Sequence, residues 1–133
     1  MPDDIRVVIR SNLDIVTARQ EGRALAARTG FSATDVTLIA TAISELARNI
    51  VSYARQGEIV LRVVESANAK GVMIISRDSG PGIRSIDDAM RDGYSTSGGL
   101  GLGLPGVRRL VDEFIIESVL GQGTVVRVTK WLR

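Results

Sequence analysis

Apolar and polar residues alternate from the start of the chain. Ile5, Val7 and Ile9 fall on one side and Arg6 and Arg10 on the other, which predicts a half-buried first strand. Asp14 then reads as the N-cap of a helix running to about Thr29, with Gly30 as its stop. Ser32 caps a second, longer helix. Its apolar positions are Val36, Ile39, Ala40, Ile43, Leu46, Ala47, Ile50, Val51 and Ala54, an i, i+3, i+4, i+7 series held for about five turns. Gly57 opens a strand, EIVLRVVES, and a turn at Ala67–Gly71 leads into a second, VMIISRD, as an antiparallel hairpin. An irregular stretch from Ser79 to Gly103 follows, with a possible small helix around Ser85–Arg91. A helix from about Leu104 to Glu113 and a closing hairpin, FIIESVL and TVVRVTKWLR about a GQG turn, complete the order. The expected architecture is α+β: a mixed, mostly antiparallel sheet covered on one face by helices.

Composition narrows the chemistry. The 133 residues fit one domain spanning the chain, 1–133, large enough to bury a core without disulfide or metal staples. There is no cysteine, so thiol and zinc-cluster chemistry drop out, and the opening MPDDIRVVIRSNLD has no signal-peptide core. Apolar runs such as GVMII are too short for a bilayer, so the expectation is a cytoplasmic protein with no membrane partner. A net charge of +2 and 4% aromatic residues give no sign of a nucleic-acid partner. Histidine is absent, which removes the commonest general base and any phosphorylatable histidine.

Three clusters carry candidate chemistry. In SELARN, residues 44–49, Glu45 and Asn49 are i and i+4 and share a helix face. Measured from Ile43, they lie at about 200° and 240°, away from the centre of the apolar stripe. They read either as a solvated face or as a carboxylate and a carboxamide facing one pocket, fit for orienting a hydroxyl and for ligating Mg²⁺. In RDSGPGI, residues 77–83, Asp78 falls on the same strand side as Val72, Ile74 and Ser76. If helices cover that side, its carboxylate needs a donor, such as an adenine amino group. The alternative is a plain surface turn. In STSGGLGLGLPG, glycine amides ahead of a helix start form an anion nest. Gly101, Gly103 and Gly106 also spell G-x-G-x-x-G, but no apolar strand precedes them and no acidic residue follows Glu117, so a dinucleotide oxidoreductase is set aside. GQGT, residues 121–124, is a hairpin turn after which Thr124 lies on the same side as Val126 and Val128.

Taken in order, SELARN, DSGPG, GGLGLGL and GQGT resemble the N, G1, G2 and G3 boxes of the GHKL (Bergerat) ATP-binding family. Within it the chain resembles the small anti-sigma-type serine kinases, and among them the stressosome switch kinases, on DIVTARQ, TAISELARNI, GYSTSGGLG, GLPGV and KWLR. That resemblance implies ATP and Mg²⁺, with Glu45 as catalytic base, Asn49 as the Mg²⁺ ligand and Asp78 on the adenine amino group. It implies indirect support of the base by Thr124 and packing of Gly80 and Gly82 beneath it. It places Gly99, Gly101 and Gly103 on the phosphates, within a lid from Ile83 to Gly103 that includes Gly98, Leu100 and Leu102. The implied partners are STAS-domain antagonist and scaffold proteins of the stressosome and a PP2C-type phosphatase. The resemblance leaves two alternatives, an anti-sigma factor kinase that sequesters a sigma factor and a non-catalytic ATP-bound switch. Two family features are missing: Ser52 stands where many histidine kinases carry lysine, and STSGG offers no arginine to the terminal phosphate. Arg48, Arg108 and Arg109 are the substitutes the sequence offers, and Arg19, Arg23 and Arg28 on the first helix a candidate partner surface.

Overall fold

A computed structural model describes residues 4–83, 90 and 103–132. In chain order these form β1 (Ile5–Ile9), α1 (Asn12–Thr29), α2 (Ala33–Asn49), a π turn (Ile50–Ala54), β2 (Gly57–Glu65), β3 (Lys70–Asp78), α3 (Gly103–Leu110), β4 (Glu113–Val119) and β5 (Gly123–Trp131). The strands make one sheet in the order β1-β2-β3-β5-β4. Every pairing is antiparallel, so the expected parallel element is absent among the described residues. Each neighbour pair in sequence is a hairpin or is bridged by helices, and hairpins enforce antiparallel pairing.

The β1 register, Ile5 opposite Leu61 and Val7 opposite Ile59, carries the alternation across the sheet. One face holds Val7, Ile9, Ile59, Leu61, Ile74, Val126 and Val128, all buried with the apolar side of α1 and α2. The opposite face is laced with ion pairs. Glu58 lies between Arg6 and Arg77 at 3.2 and 3.3 Å, and Arg62 grips both oxygens of Asp4. The Arg62 hydrogen bond holds the Asp4 carboxyl below its ordinary range.

Helix boundaries follow the sequence with three corrections. The N-cap of α1 is Ser11, not Asp14. Asp14 sits in the first turn and reaches back to accept the Arg10 N–H at 2.8 Å, so its oxygen satisfies an amide before the helix instead of opening it. Ser32 caps α2 as expected, its hydroxyl accepting the Asp35 N–H at 3.2 Å. The long helix does not stay α to Ala54: it loosens into the π turn at Ile50. Last, α3 ends at Leu110, and Glu113 already belongs to β4, where its carboxylate accepts the Trp131 indole N–H at 2.7 Å. The expected helix around Ser85–Arg91 lies outside the described residues, Met90 excepted.

Candidate functional site

Asp78 ends β3 and Thr124 is the second residue of β5 beside it, the two being cross-strand partners. The same face carries Ser76 and Val126, so the helix-covered side of the sheet ends in a polar corner. Against that corner stand Leu46, Asn49, Ile50, Tyr53 and Ala54 from α2 and its π turn, with Leu104 from α3. The space between them is a cavity of about 220 Å³, many times what one water needs. Asn49, Asp78, Gly82, Ile83, Gly103 and Thr124, six of the expected site residues, line it together.

The floor is built by a tight meeting of two turns. Asp78 Oδ1 accepts the Gly80 N–H at 2.9 Å, folding the Asp-Ser-Gly-Pro-Gly segment back on itself. Gly121 of the β4–β5 turn donates its N–H to the Pro81 carbonyl at 2.6 Å. A Cβ on Gly123 would collide with the Asp78 carbonyl oxygen and lie 2.9 Å from Ser79 Cα, and the residue has φ +132°. Backbone cannot yield as a side-chain tip would, so Gly123→Ala is expected to lower stability by about 2–4 kcal/mol. Urea unfolding of the variant checks this, and an effect under 1 kcal/mol would show that the turn relaxes freely.

The two carboxyl and amide groups of SELARN divide. Asn49 lines the cavity and is half-buried. Glu45 is not among the lining residues, yet it is only 4% exposed, which excludes the solvated-face reading. Residues 42–47 are all buried, so α2 is covered around its whole girth there. Glu45 Oε2 accepts Arg48 Nη1–H at 2.9 Å, giving the buried carboxylate its counter-charge. Arg48 is thereby engaged with Glu45, while Arg108 and Arg109 lie exposed on α3. Gly80 sits behind the wall, where an added Cβ would strike Ala54. Gly98, Gly99, Leu100, Gly101 and Leu102 lie outside the described residues. Gly106 lies inside α3 rather than in a dinucleotide loop. Ser118 of β4 escaped the sequence reading altogether, although its place opposite Thr124 follows from the hairpin register.

The sequence profile of the histidine kinase-like ATPase domain matches residues 10–130. The chain belongs to the histidine kinase-like ATPase family. Its relatives within that family include the serine/threonine-protein kinase RsbT of Bacillus subtilis (strain 168), 53% identical over 133 residues and the full length of both chains. The anti-sigma F factor of Thermoanaerobacter sp. (strain X514) is 31% identical over 86% of this chain and 83% of its own. Among solved structures, the mycobacterial sensor histidine kinase MprB superposes with a TM-score of 0.56 over 97% of this chain and 96% of its own. At 13% identity that match speaks for the fold alone. The histidine kinase-like ATPase fold accounts for the α+β sheet with helices on one face. No described helix is long and apolar enough to cross a membrane.

Proposed function

We propose that this protein is a partner-switching serine/threonine kinase that moves the terminal phosphoryl group of ATP to a hydroxyl on a STAS-domain protein of a stressosome. When released from that partner, it activates a PP2C-type phosphatase. The observation that carries the reading is the full-length likeness to a serine/threonine kinase, joined to a cavity lined by Asn49, Asp78 and Thr124. In this reading the adenine enters between Ile50 and the Gly80–Gly82 turn, and its amino group donates to the Asp78 carboxylate. The phosphates run toward Gly103 and the positive end of α3.

Phosphoryl transfer is mostly positioning and charge neutralisation. Among the described residues no cluster of carboxylates could hold a metal by itself. A single amide oxygen at Asn49 nevertheless suits Mg²⁺, which binds through few protein ligands plus phosphates and water. Bound there, the ion would neutralise phosphate oxygens. Glu45 takes the proton of the incoming hydroxyl as its oxygen bonds the γ-phosphorus and ADP leaves, and Arg48 holds the Glu45 carboxylate in position. The protein has no histidine, so the phosphoryl group has no histidine of its own to go to.

Incubation with Mg-ATP and a purified STAS-domain partner should place phosphate on a serine or threonine of that partner. Absence of transfer across a panel of such partners, with ATP binding intact, would sink the kinase reading. A second reading, sequestration of a sigma factor, is favoured by the likeness to anti-sigma F factors. Tight capture of a sigma factor in the presence of ATP would support it over stressosome switching.

A further inference from the structure

Ser118, a hydroxyl beside the cavity, belongs to no motif. It lies on β4, directly across from Thr124 of β5. Its Oγ has three polar neighbours: the Ile83 N–H at 2.7 Å, the Gly123 carbonyl at 3.1 Å and the Thr124 Oγ1 at 2.9 Å. We propose that Ser118 is a positioning residue of the nucleotide site, holding the Thr124 hydroxyl proton away from the cavity so that Thr124 and Asp78 together present an acceptor-only corner. The proposal rests on the reading that this cavity takes an adenine base.

Proton counting leads there. A serine hydroxyl has one proton to give and two lone pairs. The Ile83 amide can only donate and the Gly123 carbonyl can only accept. All three contacts become hydrogen bonds at once in a single arrangement. Ser118 gives its proton to Gly123, and its lone pairs receive the Ile83 N–H and the Thr124 O–H. If the Ser118 proton turned to Thr124 instead, the Gly123 carbonyl would lose this donor. In a half-buried place the fully bonded arrangement wins, because an unmade hydrogen bond there leaves a desolvated polar group unsatisfied.

Two consequences meet at the cavity wall. Thr124, its proton committed to Ser118, turns lone pairs to the cavity it lines. Asp78, its cross-strand neighbour, has one oxygen committed to the Gly80 N–H and brings only acceptor capacity. An acceptor-only corner favours a ligand edge that donates, such as the 6-amino group of a purine. Ser118 thus sharpens selection without touching the ligand. It also anchors the amide of Ile83, a residue of the cavity lining.

The test compares ATP with purine riboside triphosphate, which differs only in lacking the 6-amino group. Direct titration of each gives the ratio of their Kd values, the worth of that amino group. In Ser118→Ala the Thr124 proton is free to turn into the cavity or onto the Asp78 carboxylate. ATP binding should weaken about 5-fold, with the ratio falling at least about 3-fold. Ser118→Thr keeps a hydroxyl at the same place and should restore the ratio. In a Thr124→Val background, Ser118→Ala should no longer change it, since the proton it releases is gone. Ser118→Cys, a weak donor of similar shape, carries the same expectation as alanine should the alanine variant fail to fold. Equal weakening of both ligands, with the wild-type ratio retained, would overturn the proposal and leave Ser118 as a plain loop anchor. A wild-type protein that binds both triphosphates equally would instead overturn the adenine reading, and this proposal with it.

Discussion

Replacing Glu45 with alanine or glutamine should cut phosphoryl transfer to a partner by about 10²–10⁴-fold, the usual worth of a positioned general base. ATP affinity should stay within about 3-fold of wild type, because Glu45 is not part of the cavity wall. The two variants separate chemistry from structure. Alanine leaves Arg48 without the carboxylate it bonds at 2.9 Å, whereas glutamine keeps an oxygen for that contact and nearly the same volume. If Arg48 and Glu45 formed only a structural pair, glutamine would restore transfer. Following labelled γ-phosphate onto the partner, alongside nucleotide titration, distinguishes these outcomes. Transfer at the wild-type rate in Glu45→Gln would remove Glu45 as the base.

Asp78→Asn carries the largest expected effect on binding. Asp78 Oδ1 accepts the Gly80 N–H, so an asparagine would put its single carbonyl oxygen there and turn its NH₂ toward the ligand. That sets a donor against the adenine amino group. The expected loss is about 10–100-fold in ATP affinity, or about 1.4–2.8 kcal/mol. Calorimetric titration measures it, with unfolding curves to show that the Gly80 turn survives. Unchanged affinity would mean the base lies elsewhere.

Much of this arrangement is legible in the sequence. The period-2 alternation of Ile5, Val7 and Ile9 and the cap at Ser32 are local signals, and the local structure obeys them. Counting in twos puts Asp78 on one strand side with Val72, Ile74 and Ser76 and Thr124 with Val126 and Val128, and the register makes the two neighbours on the helix-covered face. What could not be read depends on more than one element. A helical wheel describes α2 alone. Burial of Glu45 depends on α2 being covered on every side, with α1 and α3 both packed against it. The π turn at Ile50–Ala54 has no sequence signature, since Ile50, Val51 and Ala54 fit an α stripe equally well. Ser11 and Asp14 are both good capping residues, and only the backbone decides which one opens the helix. Ser118 belongs to no motif, and its role appears only when β4, β5 and the Asp78–Ile83 turn come together.

The cavity draws Asn49 from α2, Asp78 from β3 and Thr124 from β5, while β5 itself lies between β3 and β4. No hairpin or helical fragment of the chain contains all three. In the proposed reading, nucleotide affinity is therefore a property of the completed sheet, and a partly folded chain would have nothing with which to hold ATP. By mass action, a ligand that binds only the finished structure stabilises it by about 2.7 kcal/mol at a hundredfold excess over its Kd. Because Asp78 of β3 pairs with Thr124 of β5, that gain would be shared between the middle strand and the last hairpin. In the proposed reading ATP would act as a thermodynamic clasp between segments distant along the chain, and its free concentration would set part of how firmly this protein stays folded.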